Sequence, residues 1–164
     1  MGIYFQNEDD LYRTLTNFLA VAASHPVIVR TVSGADMVLR FGYTNPDAWI
    51  TLHLGDPELG DGLCLSLQSA DNLPIEQHKT PHATLIQEAD FAHRFWCGLE
   101  SPGRAIVEGH VKASGNYLRA LALYPLITPI FKVYVQTLHD LGLDHLIPDE
   151  KVDLIASDQS MEAS

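Results

Sequence analysis

Between residues 37 and 67 the hydrophobic pattern runs with a period of two in three successive stretches, and this limits the fold more than any other feature. Met37, Leu39 and Phe41 alternate with Val38 and Arg40; Ile50, Leu52 and Leu54 alternate with Trp49, Thr51 and His53; Leu63, Leu65 and Leu67 alternate with Cys64, Ser66 and Gln68. Period two sends successive side chains to opposite faces, so each run is a half-buried strand. The links Tyr-Thr-Asn-Pro-Asp and Gly-Asp-Pro-Glu-Leu-Gly-Asp-Gly are short and rich in turn formers, which favours an antiparallel meander. Such a sheet has one apolar face to cover, and the flanking segments must cover it.

Those flanks have helical period. Leu11, Leu15, Phe18, Leu19 and Ala22 form one helical stripe, with Asn7 as its cap, Glu8, Asp9 and Asp10 at the positive end of its dipole, and His25-Pro26 as its stop. A short apolar run follows at 27–32. Residues 71–81 are polar and loop-like, 82–87 read as a fourth strand, and Asp90 is placed to cap a short helix whose Phe91, Phe95 and Trp96 share a face. Residues 117–141 are helical but interrupted by Pro125 and Pro129, so a bend or break is expected there. The expected product is one α+β domain over residues 1–155, with 156–164 as a disordered tail.

Composition fits a globular domain: 46% of residues are hydrophobic and 19% charged, with a formal net charge of -11. An acidic surface repels nucleic acid, so no nucleic-acid partner is expected. The charge is uneven. Between residues 94 and 132 stand Arg94, Arg104, Lys112, Arg119 and Lys132 against Glu100 and Glu108 alone, a local basic excess able to meet a lipid headgroup or an anionic ligand. No stretch long enough to span a bilayer is free of charge. The start of the chain lacks the basic region of a signal peptide, its end carries no targeting address, and Cys64 and Cys97 are too few for a disulfide framework. Cytoplasmic residence is the expectation.

A fifth strand is expected at 104–113. One face of it would be Ala105, Val107, Gly109, Val111 and Ala113, small enough to leave space under the helical segment that follows. Bulky Tyr117, Leu121, Tyr124 and Phe131 fill that space themselves, or the space is an apolar cavity for a small molecule. On the second reading Gly109 faces the cavity. The stretch at 123–135 is then a bent flap whose Leu126, Ile130 and Tyr134 touch the occupant.

The run Gly109-His110-Val111-Lys112-Ala113-Ser114-Gly115-Asn116 resembles the strand-to-helix signature of the sterol carrier protein-2 family. Ala83-Thr84-Leu85-Ile86 followed by Glu88-Ala89-Asp90-Phe91 is similar to the strand and short helix that precede it in that family. The resemblance covers residues 83–123. His110 departs from it, standing where lysine is common, and the proline-rich C-terminal helical region is longer than in a minimal member. The resemblance implies a five-stranded, mainly antiparallel sheet with helices on one face around a hydrophobic tunnel. It also implies reversible binding of a sterol, fatty acid or other lipid, without covalent chemistry. Carried onto this chain, the tunnel would draw on Phe91, Phe95, Val107, Val111, Leu118, Leu121, Ala122, Leu126 and Ile130.

The polar residues offer little chemistry of their own. His93 and Cys97 are four apart on the short helix, a spacing that suits zinc, but no second pair accompanies them. No nucleophile elbow and no phosphate-binding glycine loop occurs, so no cofactor, metal or catalytic residue is expected. Two other classes fit the same chain. One is a cofactor-free enzyme using Asp90 or His93 in the cavity; the other is an accessory subunit whose apolar helix docks on a partner. Transient contact with a membrane or an enzyme, and a homodimer, are compatible with the sequence.

Overall fold

A computed structural model describes residues 4–56, 62–68 and 80–148. Helix α1 (Glu8–Ser24) starts where the sequence says it should: the Asn7 side chain accepts a bond from the Asp10 amide at 2.9 Å. His25 ends α1 and its ring nitrogen caps α2 (Pro26–Val32), so the short apolar run is a helix opened by a proline. Strands β1 (Met37–Thr44), β2 (Ala48–Leu54) and β3 (Leu63–Gln68) follow as a meander. Next come β4 (Ala83–Glu88), α3 (Ala89–Trp96), α4 (Pro102–Glu108), β5 (Lys112–Gly115), α5 (Tyr117–Leu123), a tight helical turn (Tyr124–Leu126) and α6 (Pro129–Asp140).

The strands lie in the order β3-β2-β1-β4-β5. β1 is antiparallel to β2 but parallel to β4, so the sheet is mixed, and the mainly antiparallel sheet expected from the sequence is corrected. Four strands carry the substantial ladders, while β5 adds only a four-residue strip at the edge of β4. That strip also replaces the expected strand at 104–113. Pro102 stands at the first turn of α4, Arg104 and Glu108 pair across one turn at 2.7 Å, and Gly109 closes the helix in the left-handed region (φ 83°). Proline just inside the start and glycine just past the end form a helix signature that outweighs the period-two pattern.

The prolines of the C-terminal region act as expected. Pro125 sits in the tight turn, Pro129 opens α6, and the two helical pieces meet at 75°. Asp90 does not cap α3, because Glu88 occupies that position; its carboxylate instead accepts the Tyr4 amide at 3.2 Å and ties the N-terminal segment down. The loop expected at 71–81 falls, up to residue 79, outside the described residues, as does the tail at 156–164.

Register decides which side chains form the core. Met37 faces Leu54, Leu39 faces Leu52 and Ala83, and Phe41 faces Ile50 and Leu85, so these residues share one face of the sheet. Leu15, Phe18 and Ala22 of α1, Ile28 and Val32 of α2, Trp96 of α3 and Tyr134 of α6 join them in one buried cluster. At the sheet edge, Gly115 (φ 72°) lies so close to β4 that a Cβ there would stand 2.4 Å from the His82 carbonyl oxygen. Gly115→Ala should therefore lower stability by about 2 kcal/mol, from left-handed strain plus displaced backbone. An unchanged melting temperature would show that β5 can shift to admit a methyl group.

Candidate functional site

Above that apolar face the helical layer does not close completely. Two adjoining chambers lie between sheet and helices. The larger has about 700 Å³ of empty space counted out to its open mouth. Its floor is Leu39, Phe41, Leu52, Leu54 and Leu85; its walls are Ile28 and Val32 of α2, Phe95 and Trp96 of α3, and Pro102 of α4. Ala120, Leu121 and Leu123 of α5, with Tyr124, Ile127 and Ile130, form the roof. The smaller chamber, about 380 Å³, lies toward β5 and adds Gln87, Phe91, Ile106, Val111 and Tyr117. Phe41, Leu85, Phe95, Pro102, Ala120 and Leu121 wall both.

The gap has a local cause. α5 contains no fully buried residue, and neither does the turn after it: Tyr117, Ala120 and Leu123 pack on the core only in part, and Pro125 and Pro129 interrupt the helical run just beyond them. α6 restarts at an angle and packs on α1 instead, placing Ile130, Val133, Tyr134 and Leu138 in the core.

Among the described residues no charged side chain lines either chamber. The polar groups on offer are the Gln87 amide, on the inward side of β4 and 7% exposed, and the ring substituents of Trp96, Tyr117 and Tyr124. The Trp96 indole N–H is already directed to the Tyr43 hydroxyl at 3.3 Å. The two chambers therefore present apolar surface and no charge.

Of the residues named from the sequence, Phe91, Phe95, Val111, Leu121 and Ile130 line the chambers. Val107, Leu118, Leu126 and Ala122 point to solvent instead. Val107 does so because its segment is a helix, and Leu118 and Ala122 because they lie on the side of α5 away from Tyr117 and Leu121. Gly109 is the left-handed end of α4 with open space where a Cβ would stand, so it sets chain direction and faces no cavity. Tyr134 lies in the core, 0% exposed, and lines neither chamber. The sequence reading missed the floor and α2. Leu39, Phe41, Leu52, Leu54 and Leu85 were legible as one apolar face, but nothing in the period says that the layer above it stops short.

The candidates for chemistry lie elsewhere. The His93 ring is buried beside Tyr134, with Nδ1 2.7 Å from the Tyr134 hydroxyl and Nε2 2.7 Å from the Leu146 carbonyl oxygen. A carbonyl only accepts, so Nε2 carries the proton and Nδ1 accepts from the tyrosine. Burial, above all, pushes the His93 pKa down to about 4; the Leu146 bond and Asp90 oppose this and Arg94 adds to it. Cys97 Sγ is 3.9 Å from His93 Nε2. With both ring nitrogens engaged, the pair links α3, α6 and the Asp144–Leu146 turn. Among the described residues no group of three or more His, Cys, Asp or Glu could hold a metal ion. Neither Asp90 nor His93 lines a chamber.

No family model and no curated protein matches this sequence. Solved structures do match its fold. The apo form of sterol carrier protein 2 from Yarrowia lipolytica is 16% identical and superposes with a TM-score of 0.52, over 82% of this chain and 95% of that one. A protein from Thermus thermophilus, described as possibly a sterol carrier protein, is 12% identical with a TM-score of 0.55, over 84% and 90%. The stereoselective inverting sec-alkylsulfatase Pisa1 from Pseudomonas sp. also matches, at 18% identity and a TM-score of 0.50 over 66% of this chain, which spans only 15% of the enzyme's length. The order of strands and helices, the apolar space between them and these superpositions agree on one conclusion: the chain has the sterol carrier protein-2 fold.

Proposed function

We propose that this protein binds a hydrophobic small molecule reversibly in the paired chambers, as a carrier or presenter and not as an enzyme. The observation that carries the reading is the lining: two adjoining apolar chambers without a charged side chain among the described residues, in a fold shared with sterol carrier proteins. Phe91, Phe95, Val111, Leu121 and Ile130 contact the occupant, together with Leu39, Phe41, Leu85 and Ala120. The same lining selects for an uncharged body. A sterol or a neutral alkyl chain fits, with Gln87 to meet a hydroxyl or carbonyl, whereas an ionised fatty acid would enter tail first and leave its carboxylate at the mouth. Burying about 400 Å² of ligand contributes roughly 10 kcal/mol gross. Rigid-body and ordering costs reduce this to about micromolar affinity, which suits a molecule that must also let go. Cytoplasmic residence belongs to the same proposal.

Ala120 supplies the test, because it walls both chambers with the smallest side chain in the roof. Delipidated parent protein should bind a pyrene-tagged long-chain hydrocarbon. Ala120→Trp should weaken that binding by at least about tenfold, by filling space the probe needs, while the melting temperature stays within a few degrees of the parent's. A parent that fails to bind the probe, or a tryptophan variant that binds it equally well, would end the reading.

A further inference from the structure

The outer side of the cavity roof is apolar as well, and the inference drawn from it rests on the lipid-binding reading above. The three most exposed large hydrophobic side chains of the described protein are Val107 (86%), Leu118 (68%) and Leu126 (57%). All three lie on the short segments that wall the chambers: α4, α5 and the turn after α5. On α5, Tyr117, Ala120 and Leu121 face the chambers, while Leu118 and Ala122, one turn apart, face outward. A soluble helix ordinarily turns a polar face to water. Apart from Arg119, α5 has only apolar residues on either side, so its outer side matches an apolar phase rather than bulk water.

Charge identifies the partner. Residues 102–139 contain Arg104, Lys112, Arg119 and Lys132 against Glu108 alone, in a chain of net charge -11, and all four cations are exposed. Arg104 is paired with Glu108 and Arg119 reaches the backbone oxygens of Ala35 and Asp36, whereas no partner is recorded for Lys112 or Lys132 among the described residues. Singly spaced apolar side chains among long cationic ones are the pattern of a surface that rests in a lipid headgroup layer. Among the described residues no single helix is long and apolar enough to cross a membrane, and the 75° bend between the α5 segment and α6 suits lying on a bilayer.

We propose that the outward face of α4, α5 and the following turn docks on an anionic lipid bilayer. Val107, Leu118 and Leu126 enter the interface, and Lys112 with its neighbouring cations meets the headgroups. The acidic remainder of the protein is repelled by the same surface, which fixes one orientation. Docked this way, the cavity roof is the contact layer. Loosening α5 would then pass a ligand between bilayer and chamber without exposing it to water.

Flotation with vesicles tests this. The parent should float with equal parts phosphatidylcholine and phosphatidylglycerol and not with phosphatidylcholine alone, and added salt should weaken the association. Lys112→Glu replaces an attraction by a repulsion and should lower partitioning about tenfold, while binding of the pyrene-tagged hydrocarbon, read without vesicles, stays at the parent's level. Leu118→Asp should lower flotation by about the same factor. Absence of flotation in the parent, indifference to lipid charge, or variants that float like the parent would overturn the proposal. A parent that binds the hydrocarbon yet ignores vesicles would refute docking and spare the cavity reading; one that floats but binds no hydrocarbon would do the reverse. A dimer abolished by Leu118→Asp, without flotation, would assign the patch to a second copy of the chain and overturn docking.

Discussion

Tyr134→Ala should destabilise the fold by about 4 kcal/mol, within the range for removing a fully buried aromatic side chain. The ring is edge-on to Phe18 at 4.8 Å and meets Trp96 at 6.5 Å and His93 at 5.5 Å, which joins α1, α3 and α6 through one side chain. Its hydroxyl also supplies the proton that His93 Nδ1 accepts. Against a total stability of about 5–15 kcal/mol such a loss leaves the domain marginal or unfolded. Urea unfolding of parent and variant measures it. Tyr134→Phe separates packing from hydrogen bonding: the ring stays, a buried imidazole nitrogen loses its donor, and the cost should be about 1–2 kcal/mol. A Tyr134→Ala variant within about 1 kcal/mol of the parent would contradict this account, because no ordinary relaxation refills a cavity of that size. The sequence places Tyr134 against a ligand; its position in the core makes it a stability residue.

The second large effect is a dependence on pH. His93 titrates near its ordinary value of 6.5 when unfolded and near 4 when folded, chiefly because burial disfavours the charged ring. Between these values the unfolded chain takes up a proton that the folded chain refuses, so stability falls as pH falls. The contribution is complete above pH 6.5 and is lost progressively down to pH 4, by about 3 kcal/mol in all. Asp90 pulls the folded value up and Arg94 pushes it down, both as smaller effects than burial. The exposed carboxylates of Asp144 and Glu108 are held below their ordinary values by His139 and Arg104, so they too favour the folded state less in acid. The comparison must therefore be made against His93→Gln. The parent should lose more stability than the variant between pH 7 and pH 4.5; equal losses would mean that the buried imidazole takes up its proton without unfolding pressure.

The sequence was legible wherever neighbours along the chain decide the outcome. Asn7 and the acidic first turn start α1, Pro26 opens α2, and the two prolines of the C-terminal stretch break it where the structure bends. Residues 104–113 were misread because Ala105, Val107 and Val111 satisfy period two while Pro102 and Gly109 frame a helix, and over seven residues the frame counts for more than the period. The parallel β1–β4 pairing left no local trace, since it depends on a crossover and not on turn chemistry. The site divided along the same line. Helix-borne Phe91, Phe95, Leu121 and Ile130, named through the family resemblance, line the chambers, but the chamber floor consists of leucines and phenylalanines indistinguishable from ordinary core. What makes them a floor is that α5 covers them only in part.

The parallel ladder has a consequence in time as well as in space. The β1–β2–β3 meander can zip from local contacts, whereas joining β1 to β4 must first close a loop from Leu39 to Ala83, at an entropic cost that local pairing does not meet. The larger chamber draws Ile28 and Val32 from one side of that closure and Phe95, Leu121 and Ile130 from the other. Neither half of the chain has this cavity by itself, so it exists only once β1 and β4 have joined. Anything seated there cannot guide the chain toward its fold; it can only delay the chain's departure from it.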